Sequence, residues 1–387
     1  VGIKDFLMAF RYERKIEKFS KEIGNIYDSE GDIVCKEQIY PEKPNCKIAF
    51  IVPEISKFSG GHTGILRLGT YLCEMGHEVH YIAINNVPVQ VMIDNAKTNF
   101  PNWKGVIKDR QALKENKYDI GIATKWNTCY HLLAYQNNFG LKAYFIQDFE
   151  PFFYPMGDHY LLSLNTYKLG LKMISLGPWN GQMIKKFIPY AKVYNIEFPV
   201  ELGAYKIVKR EIKIEKNLIL AVYIKRDPKR ATFLLLEHLK YLIYKMREKG
   251  IEVEVNFFGI EKNIKLPIGN NMGKLNTDNL IKLYVNAHFG IVASLTNISY
   301  VNYEMLACGL PVVDFADGSA PSFFTDKEMI FLESHPHDLY NKISYYMNNQ
   351  NRLNNLVLEG QKKLGTVTWA SQAKKFAQIL FSKEEYI

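Results

Sequence analysis

Five cysteines in 387 residues (Cys35, Cys46, Cys73, Cys129 and Cys308) leave little room for a disulfide or zinc framework. Their number is odd, they are scattered, and no two stand in C-x-x-C spacing, which excludes the usual zinc-ribbon and redox patterns. Cys35 and Cys46 can pair, but so sparse a set fits a reducing cytoplasm better. No apolar run approaches the roughly 20 residues that span a bilayer, and no secretory signal opens the sequence. The expected setting is therefore cytoplasmic. Long Lys/Arg blocks and zinc-finger or RNA-binding signatures are missing too, so the net charge of +9 is spread over the surface and no nucleic-acid partner is expected. Phosphorylated ligands or an acidic membrane suit that charge. There is no G-x-G-x-x-G fingerprint, no short-period repeat and no low-complexity stretch. The chain opens on Val1 rather than Met, which suits a piece of a longer protein.

Aromatics, by contrast, are plentiful: 25 Tyr and 23 Phe furnish cores and, at a cleft, surfaces on which sugars or bases stack. The length predicts two domains, because single cores stop growing well below it. Residues 1–45 read as a helical appendage, with Phe6, Phe10 and Ile16 interleaved with Arg and Lys as on a helix that lies on an anionic membrane. Ordered alternation starts at Lys47. Apolar strand-like runs at 47–53, 78–84, 118–124, 141–147 and 171–177 alternate with helical stretches, and a second series runs through 217–225, 252–259, 288–294 and 310–316. That rhythm is the βαβ signature of doubly wound parallel sheets, and the two series meet near residue 205. The expected division is 46–205, 206–365 and a closing helix over 366–387.

In such sheets ligands sit in the loops beyond the carboxyl ends of the strands. Four of these loops carry chemistry. The first, SGGHTG, offers Gly60, Gly61 and Gly64 at a helix start, where backbone amides approach an anion or simply make a tight turn. The second, Tyr223 to Phe233, crowds Lys225, Arg226, Lys229 and Arg230 at a strand end, an arrangement a bound diphosphate would compensate. In the third, a turn through Ser299 and Tyr300 opens a helix that carries Glu304, whose carboxylate suits ribose hydroxyls or ordinary capping. The fourth, YFIQDFEPFFYPMGDHY, sets Asp148 and Glu150 among aromatic rings, as sugar sites do.

The turn and helix around Glu304, the A-C-G-L-P-V-V run after it, and the basic strand-end loop resemble the donor half of GT-B glycosyltransferases of family 4. The stretch TVTWASQAKKFAQIL (Thr366 to Leu380) resembles that family's closing Trp-containing helix. Within it, the segment Tyr144 to Gly170, SYVNYEM (Ser299 to Met305) and LGPWNGQMI (Leu176 to Ile184) are similar to bacterial rhamnosyltransferases of the WsaF type. The resemblance covers most of residues 47–380. It implies an α/β fold of the GT-B kind, two Rossmann-like doubly wound domains facing across a cleft, with the acceptor on the first and the donor on the second. It further implies a nucleotide-diphosphate sugar, dTDP-L-rhamnose, held without a metal or other cofactor. Lys225, Arg226 and Arg230 would neutralise the diphosphate, Gly273 and Leu275 would meet the base, and Glu304 would bind the ribose. Gly60, Gly61, Ser299 and Tyr300 would complete the donor site.

Asp148 and Glu150 are assigned to the acceptor, with an acid–base role open. Transfer would retain anomeric configuration onto an oligosaccharide or lipid-linked glycan at the inner face of the membrane. One departure stands out. Two glutamates seven residues apart are the common pattern, and here Thr296 takes the earlier place; Gln147-Asp148 likewise stands where many members have His-Asp. A non-catalytic nucleotide-sugar binder and a nucleotide-sugar epimerase are the alternatives.

Overall fold

The computed structural model describes residues 3–27, 33–200 and 202–383, with the backbone alone for 3–6, 22 and 24–27. The first sheet holds β1 (Lys47–Val52), β2 (Glu78–Ala83), β3 (Val106–Lys108), β4 (Tyr118–Ala123), β5 (Phe139–Ile146), β6 (Lys172–Leu176) and β7 (Val193–Ile196). The second holds β8 (Asn217–Tyr223), β9 (Glu252–Phe258), β10 (Asn270–Gly273), β11 (Phe289–Ile291), β12 (Val312–Phe315) and β13 (Ile330–Leu332). Their orders are β3-β2-β1-β4-β5-β6-β7 and β10-β9-β8-β11-β12-β13. Every pairing is parallel, β1 lying against β2 and β4 and β8 against β9 and β11. Both sheets therefore run outward from their first strand in two directions, the doubly wound arrangement with a switch point at β1/β4 and at β8/β11.

The central strands form because they are continuous runs of Ile, Val, Phe and Ala that helices cover on both faces. In β1, residues 48–52 are all buried, and in β8 so are Leu218 and Leu220 through Tyr223. Four strands at 106–108, 193–196, 270–273 and 330–332 were not expected from the apolar runs, and all four are sheet edges.

The closing helix Trp369–Phe381 returns to the first domain. Trp369 is buried, a Cβ on Gly64 would lie 3.0 Å from its indole, and Phe376 meets Phe145 edge-on at 5.4 Å. The two domains are further stapled beside the cleft. Phe149 N–H donates to the Thr296 carbonyl (3.0 Å), and Asn297 donates to the carbonyls of Gln147 and Leu176. Gly177, at φ +80°, is where Phe323 of the second domain approaches so closely that a Cβ would lie 2.5 Å from the ring. At the amino end the helix Ile3–Tyr27 docks through Phe19, edge-on to His159 at 5.1 Å, and through buried Ile23. All five cysteines are free thiols. Among the described residues no helix is long and apolar enough to cross a membrane.

Candidate active site

A cavity of about 500 Å³ lies between the domains, and the switch-point loops of both sheets build it. After β1 come Pro53, Phe58 and the start of the helix Gly60–Glu74; after β4 come Thr124 and Lys125; after β5 come Gln147, Asp148, Glu150 and Phe153. The second domain supplies Tyr223, Lys225, Asp227, Lys229 and Arg230 after β8, and Asn297 through Val301 after β11.

The basic loop divides. Lys225, Lys229 and Arg230 line the cavity, whereas Arg226 turns away to Glu261 (3.2 Å) and is largely exposed. The expected diphosphate set of Lys225, Arg226 and Arg230 thus loses Arg226 and gains Lys229. Asp227 shapes the turn by accepting from the Lys229 N–H at 3.2 Å, and Ala231 closes it in the left-handed region at φ +42°. Arg230 spends one amino group on the Ala293 carbonyl (2.7 Å) and lies over the Tyr223 ring at 5.3 Å. Its buried Nε has no partner among the described residues. Ser299 caps the helix Tyr300–Ala307 by accepting from the Val301 N–H. Its hydroxyl is therefore used locally, while the helix N-terminus, favourable to an anion, faces the cavity.

The two carboxylates of the QDFEP loop part company. Buried Phe149 anchors the loop among Phe152, Tyr167, Trp179 and Phe187. On one side of it Asp148 reaches across the cleft, accepting from the Thr296 hydroxyl (2.7 Å) and the Lys229 ammonium (3.3 Å). Lys229 also sits 4.5 Å from the centre of the Phe153 ring. On the other side Glu150 is 5% exposed and accepts from the Trp126 N–H (2.5 Å) and the Tyr144 hydroxyl (2.9 Å), capping the helix Trp126–Ala134. Burial pushes its carboxyl up to about 7 against the opposing pull of Lys125 and these hydrogen bonds. Glu150 is held mainly as a helix cap, and Asp148 is the carboxylate presented to the cleft.

Comparison with known proteins bears on the fold that holds this site. Residues 93–177 match the family described as the N-terminal domain of WsaF. The O-antigen biosynthesis protein RfbC of Myxococcus xanthus is 28% identical over 200 residues, 50% of this chain but only 15% of that protein. Three solved structures superpose over 87% of the chain. They are sucrose-phosphate synthase from Thermosynechococcus elongatus (TM-score 0.63, 12% identity, 98% of that chain), Anabaena HepE in complex with UDP and glucose (0.62, 10%, 99%), and TarM (0.65, 11%, 99%). The fold is GT-B.

Within the GT-B cleft not every expected residue reaches the cavity. Gly60, Gly61, Ser299 and Tyr300 line it, together with Asp148 and Glu150. Glu304 lies deeper on its helix, half-buried, and the hydroxyls of Tyr205 and Tyr284 interact with its carboxyl. Burial outweighs those hydroxyls and pushes Glu304 up to about 7. Tyr205 comes from the interdomain linker and stacks near Tyr284 at 6.4 Å. Gly273 is also set apart. Its N–H donates to Asn271, its carbonyl accepts from Gly259, and its φ of +82° places it beside Lys262. Leu275 lines a separate hollow of about 560 Å³ beside β9 and β10, with Met272, Asn279 and Lys282.

Several cavity residues escaped the reading of the sequence. His62 accepts from the Ser56 N–H (2.9 Å), and burial pulls its imidazole below the ordinary range, which favours the neutral ring. Lys125, Tyr223, Asn297 and Phe58 belong with it. Tyr223 ends β8 and Lys125 stands two residues past β4, positions that could have flagged them, whereas Phe58, His62 and Asn297 lie farther along the segments that follow β1 and β11. Among the described residues, no three His, Cys, Asp or Glu side chains group as metal ligands.

Proposed function

We propose that the chain is a glycosyltransferase that moves L-rhamnose from dTDP-L-rhamnose onto a growing bacterial surface glycan, without a metal and with retention of configuration. The observation that carries this reading is the convergence of Lys225, Lys229, Arg230 and the N-terminus of the helix Tyr300–Ala307 on one wall of the interdomain cavity. A sugar leaving a nucleotide passes through an oxocarbenium-like state while negative charge grows on the diphosphate. Cations and helix amides fixed beforehand in a closed cleft stabilise that charge most effectively. In this reading Arg230 and Lys229 hold the diphosphate. Asp148, fixed by Thr296, faces the reacting sugar and its acceptor, and Glu150 positions the loop beneath them.

The likeness to the N-terminal domain of WsaF and to an O-antigen biosynthesis protein supports a surface-glycan acceptor and the rhamnosyl choice. Anabaena HepE, solved with UDP and glucose, supports a nucleotide-sugar donor. In this reading Glu304 binds the ribose once its carboxyl is released from the Tyr205 hydroxyl. We also assign peripheral contact with an anionic membrane to the helix Ile3–Tyr27, whose Met8, Tyr12 and Ile16 are exposed on the same face as docked Phe19 and Ile23. Of the residues read with Ile16 as one face, Phe10 is exposed as well, and the side chain of Phe6 lies outside those described.

The test is product analysis with dTDP-L-rhamnose, UDP-glucose and UDP-N-acetylglucosamine against a panel of octyl pyranosides, with and without chelator. Transfer from dTDP-L-rhamnose that survives chelator is the expected result. An epimer or free sugar as the sole product would overturn the transferase reading, and loss of transfer in chelator would overturn its metal-free form.

A further inference from the structure

Phe58 and Ala231 are the two non-glycine residues with positive φ among those described, at +55° and +42°. They occupy comparable places. Each lies in the loop that leaves the first strand of its sheet and leads into the next helix: Phe58 stands one residue before Ser59, the cap of Gly60–Glu74, and Ala231 is itself the cap of Thr232–Glu248. The turn from strand to helix therefore asks for a left-handed residue in both domains. Glycine, or asparagine at some cost, meets that demand, and alanine meets it with the smallest side chain that still carries a Cβ. A phenylalanine there is not explained by the backbone, because a bulky aromatic is among the residues least at ease in that region.

Nor is it explained by packing. Phe58 is 79% exposed, yet it borders the interdomain cavity. A ring that is strained below and unburied above is retained for something that covers it only part of the time. Its surroundings narrow the choice. Next to it the Gly60 position is open, with nothing within 4 Å of where a Cβ would stand. The cavity it borders carries the polar side chains of His62, Lys125, Gln147 and Asp148 beside apolar ones such as Ile65 and Leu176. Of the cations that line the cavity, Lys225, Lys229 and Arg230 come from the second domain and Lys125 from the first. An apolar ring above hydrogen-bonding groups matches a pyranose, whose C–H face stacks on an aromatic while its hydroxyls turn to polar partners.

We propose that Phe58 is the stacking platform for a pyranose unit of the acceptor glycan, at the lip of the cleft on the first-domain side. The assignment rests on the glycosyl-transfer reading and makes this loop a determinant of acceptor affinity. The experiment compares wild type with Phe58→Ala, Phe58→Gly and Phe58→Trp, using octyl α-L-rhamnopyranoside, octyl glucoside and octyl galactoside as acceptors. Both ring-deleting variants should raise the acceptor KM by roughly tenfold, the worth of one aromatic contact, and leave the donor KM in place. Phe58→Trp should restore the acceptor KM. Phe58→Gly, which also relieves the backbone, should melt at a higher temperature than Phe58→Ala, so lost stability cannot be mistaken for lost binding. An acceptor KM that stays at the wild-type value in both deletions, or a donor KM that rises with it, would overturn the proposal. If the wild type turns over none of the donors, the transferase reading fails separately. The platform is then read directly from the emission of Trp at position 58 titrated with the same octyl pyranosides, where a blue shift supports it and an unchanged spectrum overturns it.

Discussion

The first loop of each domain leaves the equivalent strand of the same kind of sheet and opens the equivalent helix, yet the two are chemically opposite. After β1 the loop offers Phe58, Ser59 and two glycines, with His62 held neutral behind them. After β8 it offers Lys225, Lys229 and Arg230, with Asp227 spent on shaping the turn. Topology decides where a ligand binds in a doubly wound sheet, and side chains decide which ligand. The loop after β8 is therefore suited to an anionic partner, whereas the loop after β1 adds no charged side chain to the cavity. On the proposed reading, that difference puts the acceptor on the first side and the donor on the second.

The deepest break in that comparison comes from removing the cations. Arg230→Ala and Lys229→Ala should each lower the transfer rate by about a hundredfold or more, the scale seen when a preorganised charge stabiliser is lost. Arg226→Ala, on the same loop but paired to Glu261, should change it less than about threefold. Steady-state kinetics on the three variants checks this, and an equal loss at Arg226 would erase the division of the loop.

The next difference is in how the two walls respond to pH. Glu150, beneath the first wall, is pushed up from 4.5 to about 7 by burial, as is Glu304 in the second domain. A folded acid with a raised value binds a proton that the unfolded chain has already released. Stability therefore falls as pH rises from about 4.5 to about 7 and is level above that. Each group contributes at most about 3 kcal/mol to the fall. Glu150→Gln should remove about half of this slope in urea denaturation run at stepped pH, whereas Arg230→Ala should leave it intact. Salt should show the opposite preference, weakening whatever the cationic wall holds.

A smaller effect is expected where the walls touch. Asp148→Asn keeps the Thr296 hydrogen bond but releases the charge of Lys229, and should reduce transfer about tenfold, with a rise in the KM of both substrates. The smallest change tests the shared turn. Ala231→Gly should raise stability by about 0.5 kcal/mol, because glycine accepts φ of +42° without a Cβ clash, although it adds freedom to the unfolded chain. A thermal melt reads it.

What the sequence disclosed follows the same physics. The interior strands were legible because parallel strands covered on both faces become unbroken apolar runs. The edges β3, β7, β10 and β13 are three or four residues long, and all four carry exposed or half-exposed positions, so no periodic signal rises above their neighbours. The loops that bear the site were found by the rule that ligands lie beyond strand ends. Which way each side chain turns was not legible. Arg226 and Lys229 are three residues apart on a loop, with no periodicity to separate outward from inward. Glu150 has the same local pattern as Asp148, and only the N-terminus of the helix Trp126–Ala134, more than twenty residues back in sequence, makes it a cap. Glu304 meets the hydroxyl of Tyr205 from the linker, a contact across nearly a hundred residues.

The central claim, that the second wall holds a nucleoside diphosphate through the inward cations, is tested most directly by calorimetric titration of dTDP and UDP into wild type, Arg226→Ala and the Lys229→Ala/Arg230→Ala double variant at low and high salt. The account predicts saturable binding of dTDP that weakens with salt, persists in Arg226→Ala and is lost by about a hundredfold or more in the double variant. Binding that is absent in wild type, or unchanged in the double variant, would contradict it.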